Sequence, residues 1–280
     1  MPTREELQAQ ADTINWFHSI DLAQGVRTKG ASNPPLGLDQ LPAFRGRSVL
    51  DIGAWDGYYA FLAEREGASR VVALDHYVWG LDGAARNAYW KECAERGQLP
   101  DHDLDSTKFW RPELPGKRGF DFARKALNSK AEEMVADFMS ANLDDIGKFD
   151  VVLYLGVLYH MKEPLTCLER VRRVTRQVAV IETEALHFRD FEQDSLLRFH
   201  PGDELYGDFG NWYVPNIRAL HSLCLAAGFT SVDTKVGPPI TDVPVTSRSL
   251  RRRARRAHLT ERLGDALSSQ AYRAVVHAFA

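Results

Sequence analysis

Short apolar runs alternate with amphipathic stretches along the chain, a pattern that predicts a domain of alternating strands and helices. The apolar runs predict strands over 49–52, 71–74, 134–139, 150–154, 177–182, 229–236 and 272–279. Stretches with helical periodicity predict helices over 4–14, 58–66, 83–96, 119–128, 164–176 and 215–228. The run over 150–154 is typical of a central parallel strand, because it is apolar throughout.

The most informative turn follows the first predicted strand, where Gly53 and Gly57 bracket small and polar residues. Glycine permits positive φ and lets backbone N–H groups approach a ligand, and the next helix would begin beside the turn. This pattern favours a nucleotide-binding turn. An ordinary strand-to-helix turn stays open, since Ala54 and Asp56 occupy positions that are glycine in a dinucleotide fingerprint. Asp75 ends the second predicted strand, where an acid can hold the two ribose hydroxyls of an adenosine.

A second candidate group follows the fourth predicted strand. In a doubly wound sheet, ligands lie beyond the carboxyl ends of the strands at the switch point, so 53–56 and 155–160 should face one crevice. His160 stands on the turn after that strand. As a neutral imidazole it could accept a hydroxyl proton. The alternative is a histidine that caps the helix beginning near Pro164.

Two further segments are predicted to border the crevice. Residues 1–46 are predicted to form a helical N-terminal segment that acts as a lid, plugs one edge of the sheet, or does both. Residues 185–216 are predicted to form a long polar and aromatic loop, and loops of this kind are usually functional. Candidate bases after His160 are His18, His200 and Asp208. Candidate acceptor contacts are the aromatic residues Trp16, Phe17, Tyr159, Trp212 and Tyr213.

Residues 76–118 and 238–270 are predicted to be further insertions in a domain that spans 47–280. The second insertion carries an arginine-rich run over 248–256. Such a run either binds phosphate or RNA or forms a solvated face with acidic neighbours, and Glu261 and Asp265 favour the solvated face.

Composition narrows the class of protein. The chain has 280 residues and a net charge of −3, so no overall positive field would recruit nucleic acid or an anionic membrane. Its three cysteines have neither metal-ligand spacing nor a disulfide pattern. No apolar run has the length of a signal peptide or a membrane span, and we therefore predict a cytoplasmic protein.

The motif D-I-G-A-W-D-G at 51–57, followed by A-L-D at 73–75, resembles motif I and the ribose acid of class I S-adenosylmethionine (SAM) methyltransferases, and 148–160 resembles their fourth strand. The resemblance implies an α/β, three-layer Rossmann-like sheet of order 3-2-1-4-5-7-6 with strand 7 antiparallel, and SAM as the cofactor. It implies that Asp137 accepts from the adenine amino group and that Phe138 stacks on the base. The implied cofactor-binding residues are Asp51, Gly53, Ala54, Trp55, Asp56, Gly57, Asp75, Asp137, Phe138, Leu155 and Gly156.

A narrower resemblance rests on G-V-L-Y-H at 156–160, I-E-T at 181–183 and N-W-Y-V-P-N at 211–216. These motifs are similar to the family that includes the tRNA wobble-uridine carboxymethyltransferase and many methyltransferase relatives. Fewer than fifty residues precede motif I in this chain, whereas the wobble-uridine enzyme carries a substantial RNA-related region there. The sequence therefore favours plain methyl transfer to a hydroxyl of a small polar metabolite, such as a sugar. An RNA-modifying relative and an inactive SAM-binding scaffold are the alternatives, and no motif assigns a metal.

Overall fold

A seven-stranded sheet forms the centre of the protein in the computed structural model, which describes residues 3–30, 36–101, 104, 107–111, 113–188, 191–239 and 269–280. The strands are β1 (Ser48–Ile52), β2 (Arg70–Asp75), β3 (Glu132–Val135), β4 (Phe149–Leu155), β5 (Thr175–Phe188), β6 (Leu197–Phe199), β7 (Tyr213–Pro215), β8 (Ser231–Val236) and β9 (Ser269–Phe279). The helices are α1 (Arg4–Ala11), α2 (Tyr58–Arg65), α3 (Tyr77–Gly80), α4 (Gly83–Glu95), α5 (Arg118–Leu127), α6 (Leu143–Ile146), α7 (Pro164–Val174) and α8 (Ile217–Ala226).

The strand order of the large sheet is β3-β2-β1-β4-β5-β9-β8. Strand β9 pairs antiparallel with both β5 and β8, while the pairs from β3 to β5 are parallel. Since β8 and β9 are the sixth and seventh strands of this sheet along the chain, the order is 3-2-1-4-5-7-6. The predicted order and the antiparallel seventh strand are confirmed.

The two faces of the sheet bury separate hydrophobic clusters because side chains alternate along each strand. Val49 of β1 belongs to one cluster and Leu50 to the other, and both are fully buried. Helix α7 packs on the second face through Leu168 and Val171, which are also fully buried. Complete burial of one such side chain contributes roughly 1.5–3 kcal/mol of transfer free energy. Pro164 suits the first turn of α7, because the missing N–H would have no partner inside the helix.

The N-terminal segment packs on the first face as part of the core. Leu7, Trp16, Ile20 and Val26 are buried in the same cluster as Val49. The Trp16 indole N–H donates to the Ala11 carbonyl at 2.9 Å, so this ring points away from solvent. Trp16 is thus part of the core, and the role of the segment as a lid, which is compatible with this packing, stays a prediction.

Three predicted element boundaries are corrected by the structure. The third strand is Glu132–Val135 rather than 134–139, because an exposed edge strand carries no continuous apolar run. Strand β5 continues to Phe188, six residues beyond its predicted end, along β9. The predicted irregular loop 185–216 therefore contains the end of β5 and also a two-stranded ladder of β6 and β7. The arginine-rich run 248–256 lies outside the described residues.

We expect Gly57→Ala to destabilise the fold more than Gly25→Ala. Both glycines have left-handed backbones, with φ of 84° and 71°. A Cβ at Gly57 would lie 2.6 Å from Phe120 and Phe61, whereas a Cβ at Gly25 would meet nothing within 4 Å. Overpacking adds about 1–3 kcal/mol to the backbone cost that the two variants share.

Urea denaturation gives the free energy of unfolding of both variants. A lower midpoint concentration at an unchanged m-value reports a loss of stability. Equal losses of unfolding free energy in the two variants would contradict the packing around Gly57.

Candidate active site

The turn between β1 and α2 lies at the carboxyl end of the sheet and is tied to strand β2. The amides of Gly53 and Ala54 donate to the Leu74 carbonyl, with N···O distances of 2.8 and 3.2 Å. The Trp55 amide donates to a carboxylate oxygen of Asp75 at 2.9 Å, and Trp55 has a left-handed backbone with φ of 48°. Groups at the end of β2 therefore fix the shape of this turn.

Asp75 is almost completely buried at the end of β2. Its other carboxylate oxygen accepts from the Val78 amide at 3.0 Å, at the start of the insertion that follows. Burial raises the pKa of Asp75 to about 6, and the backbone donors oppose that rise. The role of Asp75 in holding ribose hydroxyls stays a prediction. In the protein alone, its carboxylate joins the turn after β1 to the chain after β2.

Asp51 is the second buried acid of this crevice and has an oxygen, Oδ2, without a hydrogen-bond partner. Burial raises its pKa to about 7, and the neighbouring charges of Asp75 and Asp56 add to the rise, while a backbone hydrogen bond from Ala60 opposes it. A buried acceptor with no partner is rare in proteins and costs free energy. A ligand ammonium group would supply the missing donor, and SAM carries one on its methionine part. The acids at this crevice therefore fit that cofactor.

Asp56 anchors the N-terminal segment to the turn after β1. One carboxylate oxygen accepts from the amides of Phe17 and His18 at 3.0 and 2.6 Å, and the other lies 2.6 Å from Nδ1 of His18. Three donors from one segment thus converge on a carboxylate that is 2% exposed. Asp56 was predicted to bind cofactor, and in the structure its oxygens hold this segment. His18 is placed beside motif I.

Aromatic rings cover the same turn. Phe17 stacks on Trp55 with ring centroids 4.0 Å apart, and both rings are about one-third exposed. The His18 ring stacks on Tyr58 at 5.1 Å. The structure therefore brings together the predicted contacts Phe17, His18 and Trp55, while Trp16 lies in the core.

Asp137 and Phe138 lie in the turn after β3. The Asp137 carboxylate accepts from the Met139 amide at 2.9 Å. Phe138 is 7% exposed and packs 6.4 Å from the Tyr154 ring, with the Arg170 guanidinium over its other side at 5.5 Å. Their predicted contacts with adenine stay predictions, and Phe138 is also a member of the core.

The end of β4 leads into the second half of the crevice. Leu155 is the last residue of β4, and the Gly156 amide donates to the Glu182 carbonyl at 3.0 Å. A 3₁₀ turn, Leu158–His160, follows, and Nδ1 of His160 lies 3.1 Å from the Gly210 carbonyl oxygen. A carbonyl only accepts, so Nδ1 carries the proton and Nε2 is the proton-accepting nitrogen. Desolvation lowers the pKa of His160, which keeps the ring neutral at neutral pH.

The loop between β6 and β7 packs against this turn. The Trp212 amide donates to the Tyr159 carbonyl at 2.8 Å, and the Gly210 amide donates to Asp208 Oδ1 at 2.7 Å. The predicted site residues His160, Asp208, Tyr159 and Trp212 are therefore close in space. This is the side of the crevice where the acceptor was expected.

Tyr213 is the first residue of β7, and His200 directly follows β6. The His200 amide donates to the Trp212 carbonyl at 2.8 Å, and its side chain is 6% exposed, with no partner for Nε2. Burial lowers the pKa of His200. The Tyr213 ring lies 5.4 Å from Phe199. Both residues contact the ladder, and their catalytic or acceptor roles stay predictions.

Sequence reasoning missed an ionic cluster at the end of β5. Arg273 of β9 forms a two-pronged pair with Glu182 and lies 3.4 Å from Glu184, which also accepts from the Tyr206 hydroxyl at 2.9 Å. The Arg273 guanidinium lies 5.3 Å from the Tyr159 ring centroid. The two glutamates at alternate positions were the available signal, but their partner is about ninety residues further along the chain.

The described residues contain no group of three or more His, Cys, Asp or Glu side chains arranged to hold a metal ion. No helix within the described ranges combines the length and the apolar character needed to cross a membrane.

Curated relatives of the chain include two tRNA U34 carboxymethyltransferases. The protein from Actinobacillus succinogenes is 25% identical over 196 residues, and that from Haemophilus influenzae (strain PittEE) is 26% identical over 198. Each alignment covers 70% of this chain and 49% of the relative. The chain thus spans about half the length of these relatives.

Similar solved structures include the N-terminal domain of EvdMO1. The form with S-adenosylhomocysteine (SAH) bound has a TM-score of 0.61 and 17% identity, and covers 100% of this chain and 98% of that chain. The form in the presence of SAH and D-fucose has a TM-score of 0.59 and 16% identity, with the same coverage. At this identity the likeness concerns the fold.

A sequence profile of the family described as "Methyltransferase domain" matches residues 32–234, which is more than half of the chain. This range includes the turn after β1, the acid that ends β2, and the turn after β4. The match agrees with the predicted SAM cofactor and with the strand order found in the structure. The chain therefore belongs to the methyltransferase-domain family and has the class I fold of SAM-dependent methyltransferases.

Proposed function

We propose that this protein transfers the methyl group of SAM to a hydroxyl of a small polar acceptor, such as a sugar or another hydroxylated metabolite. The observation that carries the proposal is the hydrogen bond between His160 Nδ1 and the Gly210 carbonyl. It sets the tautomer that a general base needs, at the end of the strand where the acceptor is expected. Methyl transfer to a hydroxyl releases one proton, and His160 Nε2 would take it.

The cofactor side of the proposal rests on the acids of β1 and β2. When bound, SAM supplies a methyl group activated by its sulfonium. We assign Asp51 to the cofactor's positive charge, because Asp51 Oδ2 is buried without a partner. Gly53 has a left-handed backbone with φ of 78°, which favours glycine, and a Cβ there would lie 2.6 Å from Val157 Cγ2. Asp75 would hold the ribose hydroxyls.

A small acceptor is favoured by the enclosure around His160. Tyr77 and Tyr159 flank its ring at centroid distances of 6.0 and 4.3 Å, and the segment from Asp208 to Trp212 lies against the same turn. Such an enclosure holds acceptor and methyl donor in line and excludes water. A sugar is the acceptor we test first, since the EvdMO1 domain was crystallised in the presence of SAH and D-fucose.

The second candidate function is modification of tRNA. It is favoured by the two curated relatives, which are named tRNA U34 carboxymethyltransferases. This function would need a nucleic-acid-binding surface next to the crevice. It predicts that label from methyl-tritiated SAM appears in RNA rather than in small molecules.

We expect methyl-tritiated SAM, incubated with the purified protein and host extract, to label the small-molecule fraction. The RNA, protein and small-molecule fractions are separated and counted. Label in RNA would replace the proposal with the tRNA function. Absence of label despite measurable SAM binding would favour an inactive scaffold or a different donor.

His160→Gln should lower kcat for the labelled acceptor by about 10²- to 10⁴-fold, the usual contribution of a general base. Its affinity for SAM should not change, because His160 lies on the acceptor side. His221→Gln is the matched control, since His221 is on α8 and bonds Thr234 instead. Full activity of His160→Gln would reject His160 as the base.

SAM affinity should rise as the pH increases from about 5.5 to about 7.5. The pKa of Asp51 is about 7 in the protein alone, so the carboxylate gains its charge over this range and then attracts the cation. If only the ionised form binds, the Kd falls on the order of tenfold.

Calorimetric titration at several pH values gives the Kd and the number of protons released. Asp51→Asn should bind SAM weakly and lose most of the pH dependence. Asp150→Asn, at the opposite end of the sheet, should behave like the wild type. An unchanged pH dependence in Asp51→Asn would contradict this role for Asp51.

A further inference from the structure

Arg86 is a buried cation in the insertion between β2 and α5. It lies on α4, and its side chain is 5% exposed. The guanidinium donates to the Tyr77 hydroxyl and lies 4.6 Å from the Tyr77 ring centroid and 4.7 Å from that of Trp90. Burial of such a charge is costly unless the surroundings compensate for it. Two ring faces and a hydroxyl supply part of that compensation.

The same guanidinium lies against the loop between β6 and β7. Arg86 Nη2 is 3.8 Å from Asp208 Oδ1, and this oxygen accepts from the Gly210 amide at 2.7 Å. A Cβ added at Gly210 would lie 2.6 Å from Arg86 Nη2. The backbone of the loop is therefore in close contact with the cation.

These contacts continue to His160 and form a closed ring. The Gly210 carbonyl accepts from His160 Nδ1 at 3.1 Å. The Tyr77 ring lies nearly parallel to the His160 ring, at a centroid distance of 6.0 Å and an angle of 24°. Arg86 thus reaches His160 by two routes, through Asp208 and Gly210 and through Tyr77.

We propose that Arg86 is a positioning residue for His160: it holds the segment from Asp208 to Gly210 so that the Gly210 carbonyl keeps the proton of His160 on Nδ1. The proposal rests on the proposed role of His160 as the base. A lysine would not replace Arg86, because a compact ammonium cannot stack on two rings and donate to a hydroxyl in the same plane. Arg86 need not contact either substrate.

The groups around His160 determine its pKa, which can be measured in variants. Enclosure of the ring lowers the pKa of His160, the Gly210 carbonyl and the negative charge of Asp208 oppose that effect, and the positive charges of Arg86 and Arg273 add to it. Tyr77 and Tyr159 are the other titratable groups that face the ring. Removal of the Asp208 charge should therefore lower the pKa of His160. In Arg86→Met, loss of the positive charge and loss of the Gly210 hydrogen bond act on this pKa in opposite directions, so the tautomer is the readout.

The test uses the full chain with ¹⁵N-labelled histidine. The NMR shifts of His160 report its tautomer and its pKa in the wild type, Arg86→Met and Asp208→Asn. We expect the Nδ1-protonated tautomer to lose population in both variants. In Asp208→Asn the pKa of His160 should also fall, because the Asp208 charge and the Gly210 hydrogen bond both raise it.

With the labelled acceptor, kcat should fall roughly ten- to a hundredfold in Arg86→Met, with the KM for SAM unchanged. Arg96→Met is the matched control, because Arg96 caps the C-terminus of α4 and forms an exposed ion pair with Glu92. It should leave both readouts unchanged.

A tautomer and pKa of His160 that match the wild type in folded Arg86→Met would overturn the proposal. If Arg86→Met does not fold, Arg86→Lys and Asp208→Asn report the tautomer of His160 instead. The result also separates the two proposals. Full activity of His160→Gln would remove His160 as the base, while the NMR experiment would still show whether Arg86 sets its tautomer.

Discussion

The crevice depends on how carboxylates buried at the ends of β1 and β2 find hydrogen-bond donors. A carboxylate with little access to water is strongly destabilising unless donors surround it. Asp56 takes three donors from the N-terminal segment, and Asp75 takes backbone amides from the turns on either side of it. The two acids therefore fix the positions of the loops. Asp51 differs, since one of its oxygens has no partner in the protein.

The sequence was sufficient for the parts of the fold that depend on local pattern. Strands β1 and β4 are buried on both faces, and their apolar runs end where the structure turns into the crevice. The strand order came from the resemblance of motif I and its downstream acid to a known family. The edge strand β3 was misplaced, because a strand exposed on its outer side has no comparable signal.

The remaining features depend on contacts between distant parts of the chain. The end of β5, from Ala185 onward, was predicted as loop because this stretch has no simple periodicity, yet β9 pairs with it as far as Phe188. Arg273 of β9 also compensates the charge of Glu184. Arg86 gave no signal either. An arginine on a helix is usually a solvated residue, and only the folding of the loop 200–212 over α4 encloses it.

The two histidines near the crevice are held by different partners, and this difference separates their roles. His18 shares Asp56 with two backbone amides, so its ring is one of three donors that anchor a segment. His160 bonds a neutral carbonyl and lies near two arginines, which disfavour its charged form. A base for methyl transfer must be uncharged before the reaction and release its proton easily afterwards. The surroundings of His160 fit the role of base that we propose for it, whereas His18 contacts the carboxylate that holds the N-terminal segment on the turn after β1.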